Sequence, residues 1–169
     1  MIVDDDPLVL NALKRSLRRE CWALHCFSNP EEALTFAASE PVDLVISDYR
    51  MPVMNGVTFL KEIKAIQPDT FRIILSGHAD MDAVVHAIND AEIYRFIPKP
   101  WCETELKITI EKALHHRQDL LENRRLADLV RSQQLQIDYQ KTELERLEAE
   151  SPGITKVNWA SDGSIICSS

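Results

Sequence analysis

The sequence predicts an α/β fold: a doubly wound, five-stranded parallel sheet with a long C-terminal helical extension and a short β-hairpin. Three observations predict it. Short apolar runs such as "DLVISD", "FRIIL" and "YRFI" alternate with amphipathic segments, the pattern of strands buried on both faces by intervening helices. The alternation repeats five times as strand then helix, and right-handed crossovers wind such repeats into one sheet. Finally, no Gly or Pro interrupts the chain from Cys102 to about Glu150, so the last helix runs well past domain size.

Each element has a local reason. Met1–Val3 is a short strand. Pro7 to Arg19 carries Leu10, Leu13 and Leu17 at the spacing of one helical face. "WALHCF" is the second strand. Ser28-Asn29-Pro30-Glu31-Glu32 starts a helix, with a capping side chain, proline in the first turn and acids at the positive end of the dipole. Val42 to Ser47 is the third strand. Val57 to Ile66 is helical, with Phe59, Leu60, Ile63 and Ile66 on one side. "FRIILS" is the fourth strand, Asp80 to Asn89 a fourth helix with Val84, Val85 and Ile88 inward, and "IYRFI" the fifth strand. The fifth helix begins near Trp101.

That helix carries two series seven residues apart: Asn123, Val130, Ile137, Leu144 and Leu126, Gln133, Gln140, Leu147. They form a heptad seam with three polar positions, which reads as a dimeric coiled coil. The other reading is a solvated helix with chance periodicity. Ser151-Pro152-Gly153 ends the helix, and "ITKVNW", "ASDG" and "SIIC" read as a hairpin. The expected organisation is therefore a domain over 1–117, a helical extension over 118–150 and a hairpin or tail over 151–169.

Composition removes several function classes. The net charge is −8, and residues 1–117 (13 Lys+Arg against 18 Asp+Glu) and 118–169 (6 against 9) are both acidic. Direct nucleic-acid contact relies on clustered cations and is not expected. Cys21, Cys26, Cys102 and Cys167 show no zinc-ligand spacing and read as reduced packing residues. No apolar run reaches the roughly 20 residues needed to span a bilayer, and acids follow Met1-Ile2-Val3 at once, so no secretory signal is visible. A cytoplasmic location without membrane contact is expected.

The chemistry lies at the carboxyl ends of the strands, where sheets of this kind place their sites. After the first strand come Asp4, Asp5 and Asp6; after the third, Asp48; after the fourth, Ser76; after the fifth, Lys99 and Pro100. Any one of these alone reads as a turn, a cap or a solvated surface residue. Together they gather carboxylates that repel unless cations are supplied. Lys99 supplies one charge, and a hard divalent ion such as Mg²⁺ would supply the rest. A carboxylate beside Mg²⁺, a lysine and a hydroxyl suits acceptance of a phosphoryl group.

These residues carry a resemblance. "VDDDP" (Val3–Pro7), "SDYRMPVMNG" (Ser47–Gly56), "LSGH" (Leu75–His78) and "FIPKPW" (Phe96–Trp101) resemble the receiver domains of bacterial two-component response regulators, over about residues 1–117. In style they are nearest to receivers of hydrogenase-type and phosphodiesterase-linked regulators. The resemblance implies a flavodoxin-like strand order 2-1-3-4-5. It implies that Asp48 is the phospho-acceptor, and that Asp4 and Asp5 handle Mg²⁺ (or Mn²⁺), with Asp5 the more direct ligand. The backbone carbonyl of Arg50 joins the metal set. Ser76 bonds the phosphoryl oxygens, Lys99 pairs with the phosphate beside a cis Lys99–Pro100 bond, and Phe96 is the aromatic switch. The implied donor is a histidine kinase or phosphotransfer protein, and the activity is self-catalysed phosphoryl acceptance with slow autodephosphorylation rather than enzymatic turnover. The change would be relayed through the face of the fourth helix, fifth strand and fifth helix to the C-terminal helix, its homodimer mate and a downstream protein target.

The first strand is shorter than the family's usual apolar run before the acid pair. Arg50 and His78, each two residues beyond a site group, are expected to tune the lifetime of the acyl phosphate. Asp6 reads as lying behind the metal ligands. Two rivals remain. Asp4-Asp5-Asp6 contains the D-x-D of haloacid-dehalogenase-type phosphatases, but Leu8 stands where Thr or Val is usual and no acidic pair follows Lys99 after a strand. The other is a coiled-coil adaptor with an inactive receiver.

Overall fold

The computed structural model describes residues 1–77 and 91–152. The helix expected over Asp80–Asn89, His78 and nearly all of the expected hairpin lie outside the described residues. Among the described residues the elements are β1 (Ile2–Val3), α1 (Pro7–Leu17), β2 (Cys26–Phe27), α2 (Pro30–Ser39), β3 (Leu44–Asp48), α3 (Gly56–Ile66), β4 (Phe71–Ser76), β5 (Arg95–Pro98) and a C-terminal helix, Glu103–Glu150. The five strands form one sheet in the order β2-β1-β3-β4-β5, and every pairing is parallel.

The order puts β1 and β3 side by side, with Val3 opposite Ser47. The chain turns to opposite sides of the sheet after these two neighbours, which opens the cleft where doubly wound sheets bind ligands. Asp4 and Asp48 flank it. On one face of the sheet, Val3, Val45 and Ile74 pack under Phe59, Leu60 and Ile63 of α3 and Ala33 and Ala37 of α2. On the other, Ile2, Ile46, Ile73 and Leu75 pack under Leu10, Leu13 and Leu17 of α1 and Leu106, Ile110 and Ala113 of the C-terminal helix. These helices bury their apolar stripes with one exception: Ile66, read on the same side as Phe59, Leu60 and Ile63, is 41% exposed at the last residue of α3.

Two elements are shorter than their apolar runs. β2 covers Cys26–Phe27 rather than "WALHCF". It is an edge strand whose sole neighbour, β1, is two residues long. Trp22, Leu24 and Cys26 still point alternately into the core, as an extended segment does. β5 begins at Arg95, because Tyr94 is held by a single backbone bond to Arg72 O at 2.8 Å.

The base of the domain is tied by side chains from the α3–β4 turn. Gln67 Oε1 accepts from Val42 N–H at 2.8 Å, and its Nε2 donates to Glu40 O at 2.7 Å and to Ala37 O. Thr70 Oγ1 donates to Val42 O at 2.7 Å. The buried Arg72 donates from Nε to Ala91 O at 2.9 Å and from Nη1 to Thr70 O at 2.6 Å. Carbonyls that α2 and the return into β5 would leave unpaired are satisfied this way.

The chain divides into two compact units, Met1–Leu121 and Glu122–Ser169. In the first, Leu106, Thr109, Ile110 and Ala113 of the C-terminal helix are buried. In the second, the seam residues Leu126, Val130, Ile137, Leu144 and Leu147 are exposed. No helix among the described residues is long and apolar enough to cross a membrane.

Candidate functional site

Four strands deliver the site. β1 ends one residue before Asp4, Asp48 is the last residue of β3, and Ser76 is the last of β4, with Lys99 one residue past β5. Their ends are locked together by backbone hydrogen bonds. Tyr49 N–H donates to Leu75 O at 2.9 Å, and Lys99 N–H to Ser76 O at 2.8 Å. Behind Asp48, Gly56 opens α3 so close to the sheet that a Cβ there would overlap the Asp48 carbonyl oxygen and meet Ser47 Oγ at 3.1 Å. Asn55 caps that helix by accepting from Thr58 N–H at 2.8 Å.

The Lys99 ammonium stands between two carboxylates, 2.6 Å from Asp4 Oδ2 and 2.6 Å from Asp48 Oδ1. Each carboxylate turns its other oxygen to a backbone N–H two residues on: Asp4 Oδ1 accepts from Asp6 at 2.9 Å and Asp48 Oδ2 from Arg50 at 2.8 Å. Asp4 and Asp48 are buried, 1 % and 7 % exposed. Ser76 is also buried, its Oγ donating to Gly77 O at 3.1 Å. Phe96 is half-buried against the α3-side core, and the Lys99–Pro100 peptide bond is cis. Asp5 is exposed and makes no ion pair with Lys99, unlike its neighbour Asp4.

A buried aspartate at a strand end is bridged by a lysine to a second carboxylate across the cleft, and the response regulator receiver domain model matches residues 1–111. The chain belongs to this family. The receiver is 35% identical over 128 residues to the hydrogenase transcriptional regulatory protein HoxA of Cupriavidus necator, covering 71% of this chain and 26% of that protein. To the DNA-binding transcriptional regulator NtrC of Salmonella typhimurium it is 36% identical over 118 residues, covering 70% of this chain and 25% of the relative. It thus spans about a quarter of the length of these relatives. Among solved structures, the signal receiver domain of an HD domain-containing protein from Pseudomonas fluorescens Pf-5 superposes with a TM-score of 0.67 at 38% identity, covering 70% of this chain and 94% of that one. The hydrogenase-type resemblance is met among these relatives, and the strand order is that of the family. The receiver is a signalling domain of the two-component type.

The electrostatics of the receiver site follow from its charge count. Burial pushes the Asp4 carboxyl above its usual range, and the bonds from Lys99 and the Asp6 N–H do not fully offset this. Burial alone would lower Lys99, but its hydrogen bonds to Asp4 and Asp48 hold it above the ordinary lysine value. The two partners shift in senses that look opposed, since Lys99 favours its charge and Asp4 resists it. One cation shared by two anions explains both: the ammonium is doubly satisfied while the carboxylates retain surplus negative charge.

That surplus bears on the implied metal. Among the described residues no group of three His, Cys, Asp or Glu side chains is close enough to hold an ion; the Lys99 ammonium contacts both Asp4 and Asp48. The donor chemistry nevertheless fits a hard divalent cation. The cleft offers the carboxylate oxygens of Asp4 and Asp48, and Asp5 stands next to Asp4.

The site's sign predicts a stability effect. A carboxyl raised in the fold costs stability when ionised, so the cost grows as pH rises from the ordinary carboxylate range through the folded value. Asp4→Asn is expected to melt above wild type in EDTA at neutral pH, with the gap closing on acidification. Thermal melts at several pH values check this; a variant melting below wild type at neutral pH contradicts it.

Two contributors escape the strand-end pattern, and Asp6, read there as lying behind the metal ligands, caps a helix instead. Asp6 is the N-cap of α1, accepting from Leu8 N–H at 2.8 Å, and the Asp-Pro pair marks such a start. Gly56 gives the Asp48 backbone its clearance. Ser47, fully buried, donates from Oγ to Asp48 O at 2.9 Å, and nothing in its position along the strand announces that.

Proposed function

We propose that Asp48 accepts a phosphoryl group from a phosphohistidine on a histidine kinase or phosphotransfer protein, making the chain a phosphorylation-dependent switch. The observation that carries this is the single ammonium 2.6 Å from both Asp48 and Asp4. An Asp48 oxygen attacks phosphorus in line, the P–N bond breaks, and the departing imidazole keeps its electron pair and takes up a proton. Lys99, freed from its bridge, pairs with the phosphoryl oxygens. Ser76 Oγ turns from Gly77 to donate to them. When Mg²⁺ or Mn²⁺ is bound by Asp4, Asp5, Asp48 and the Arg50 carbonyl, it supplies the positive charge that neutralises oxygens of the transferring group.

Withdrawal of Ser76 and Lys99 vacates space that Phe96 can enter, and this would remodel the surface of β5, the Asp80–Asn89 segment and the C-terminal helix. Arg50 and His78 would tune the lifetime of the acyl phosphate. The exposed seam of Leu126, Val130, Ile137, Leu144 and Leu147 suits pairing with a second copy, and the altered surface suits a downstream protein target. The site needs metal because its carboxylates exceed its cations. Incubation with acetyl phosphate is therefore expected to phosphorylate the protein in Mg²⁺ and not in EDTA. Equal uptake in both would overturn the reading.

A further inference from the structure

Arg15 lies in the last turn of α1, Arg18 caps that helix and Arg19 follows it. All three line a cavity of about 570 Å³, together with Ala12, Ser16 and Trp101. Ala12 and Ser16 are small and stand one turn apart on α1, so they leave room beside the guanidiniums. Trp101 follows β5; it packs against the core and lines the cavity as well.

The charge of this cavity is the exception in a chain of net charge −8. Arg72, Arg117, Arg125 and Arg146 each have a carboxylate partner. Among the described residues, Arg15, Arg18 and Arg19 have none. The acid that lines the cavity, Glu103, and Glu20 beside Arg19 are both engaged by Lys107, at 3.1 and 3.4 Å. The negative end of the α1 dipole accounts for one or two cations, not for three guanidiniums and an indole around one cavity.

We propose that this cavity binds a nucleoside diphosphate, with the base stacked on Trp101 and the phosphates held by Arg15, Arg18 and Arg19. Guanidiniums grip phosphate oxygens with paired N–H donors. A single phosphate ester brings a charge of only about −1.5 to −2, short of three arginines, and a second phosphate closes the difference. An indole face stacks on a nucleobase whatever its identity. The volume falls within the range of about 300–1,000 Å³ typical of small-molecule sites. A nucleic-acid strand would need cations along an extended surface, and here they converge on one cavity. The cavity shares no residue with the acid cluster, so the proposal stands independently of Asp48 as acceptor.

The test is calorimetric titration of the full chain with ADP, GDP and UDP, with inorganic pyrophosphate and with adenosine. EDTA is present throughout, so that no metal carries phosphates to the acid cluster. At least one nucleoside diphosphate is expected to bind about tenfold tighter than pyrophosphate, the worth of one stacked base, and adenosine to bind weakest. Arg15→Gln/Arg18→Gln/Arg19→Gln is expected to lose at least tenfold in affinity for the nucleotide and for pyrophosphate, with an unchanged melting temperature. Trp101→Leu is expected to bring the nucleotide down to the level of pyrophosphate and to leave pyrophosphate unchanged. No heat from any nucleoside diphosphate at millimolar concentration overturns the proposal. So does undiminished nucleotide binding by the triple Gln variant. Pyrophosphate as tight as every nucleotide in wild type marks an adventitious polyanion patch only, and overturns it too.

Discussion

Lys99→Met is expected to lose about 2–3 kcal/mol of metal-free stability, less than the full cost of breaking a wholly buried ion pair because the lysine is partly exposed, and to lose durable phosphorylation of Asp48. The ammonium lies 2.6 Å from both Asp4 and Asp48. Removing it strands two buried carboxylates of like sign, which among the described residues each accept a backbone N–H, from Asp6 and Arg50. The Lys99 pKa is raised in the fold, so its contribution is fully present at neutral pH and is lost only as pH rises through the folded value. Denaturant melts in EDTA measure the loss. Mg²⁺ should restore part of it, since a divalent ion can replace the missing charge. A variant as stable as wild type in EDTA would show that the pair is balanced by something other than this lysine.

Gly56→Ala is expected to cost about 3 kcal/mol, the upper end of overpacking penalties, because the obstacle is backbone and cannot rotate away. The added methyl overlaps the Asp48 carbonyl oxygen and crowds Ser47 Oγ. Relief requires α3 to move off the sheet or the end of β3 to shift. The first breaks the bond from Gly56 N–H to Tyr49 O, 2.9 Å long; the second moves the acceptor out of line with Lys99. Both lower the rate of phosphoryl uptake at saturating acetyl phosphate, beyond any change in stability. A variant that keeps wild-type uptake and melting temperature would mean the contact is not tight.

The sheet was legible because its signals are local. Leu44–Asp48 and Phe71–Ser76 are fully or nearly fully buried, and their short apolar runs, Leu44–Ile46 and Ile73–Leu75, mark them as strands covered on both faces. Asn29 and Pro30 announce α2 in the way its cap is built. The placement of Asp4, Asp48, Ser76 and Lys99 followed from strand ends alone. What remained hidden depends on residues distant in sequence. Gln67 bonds backbone groups at positions 37, 40 and 42, and its hydropathy marks it only as a loop residue. Arg72 interrupts an apolar strand yet is buried, since carbonyls at 68, 70 and 91 receive its protons. Between Asp4 and Asp5, the resemblance points to Asp5 as the closer metal ligand, whereas the direct bond to Lys99 belongs to Asp4. Adjacent residues leaving a strand point opposite ways, and which one meets Lys99 depends on the position of β5.

All of this converges on Asp48 as the atom donor to a new P–O bond. The direct measurement is the intact mass of wild type and Asp48→Asn after incubation with acetyl phosphate and Mg²⁺. Wild type should gain the mass of one phosphoryl group, labile to hydroxylamine as an acyl phosphate is, and Asp48→Asn should gain none. An equal gain in the two proteins would place the phosphoryl group elsewhere and contradict the account.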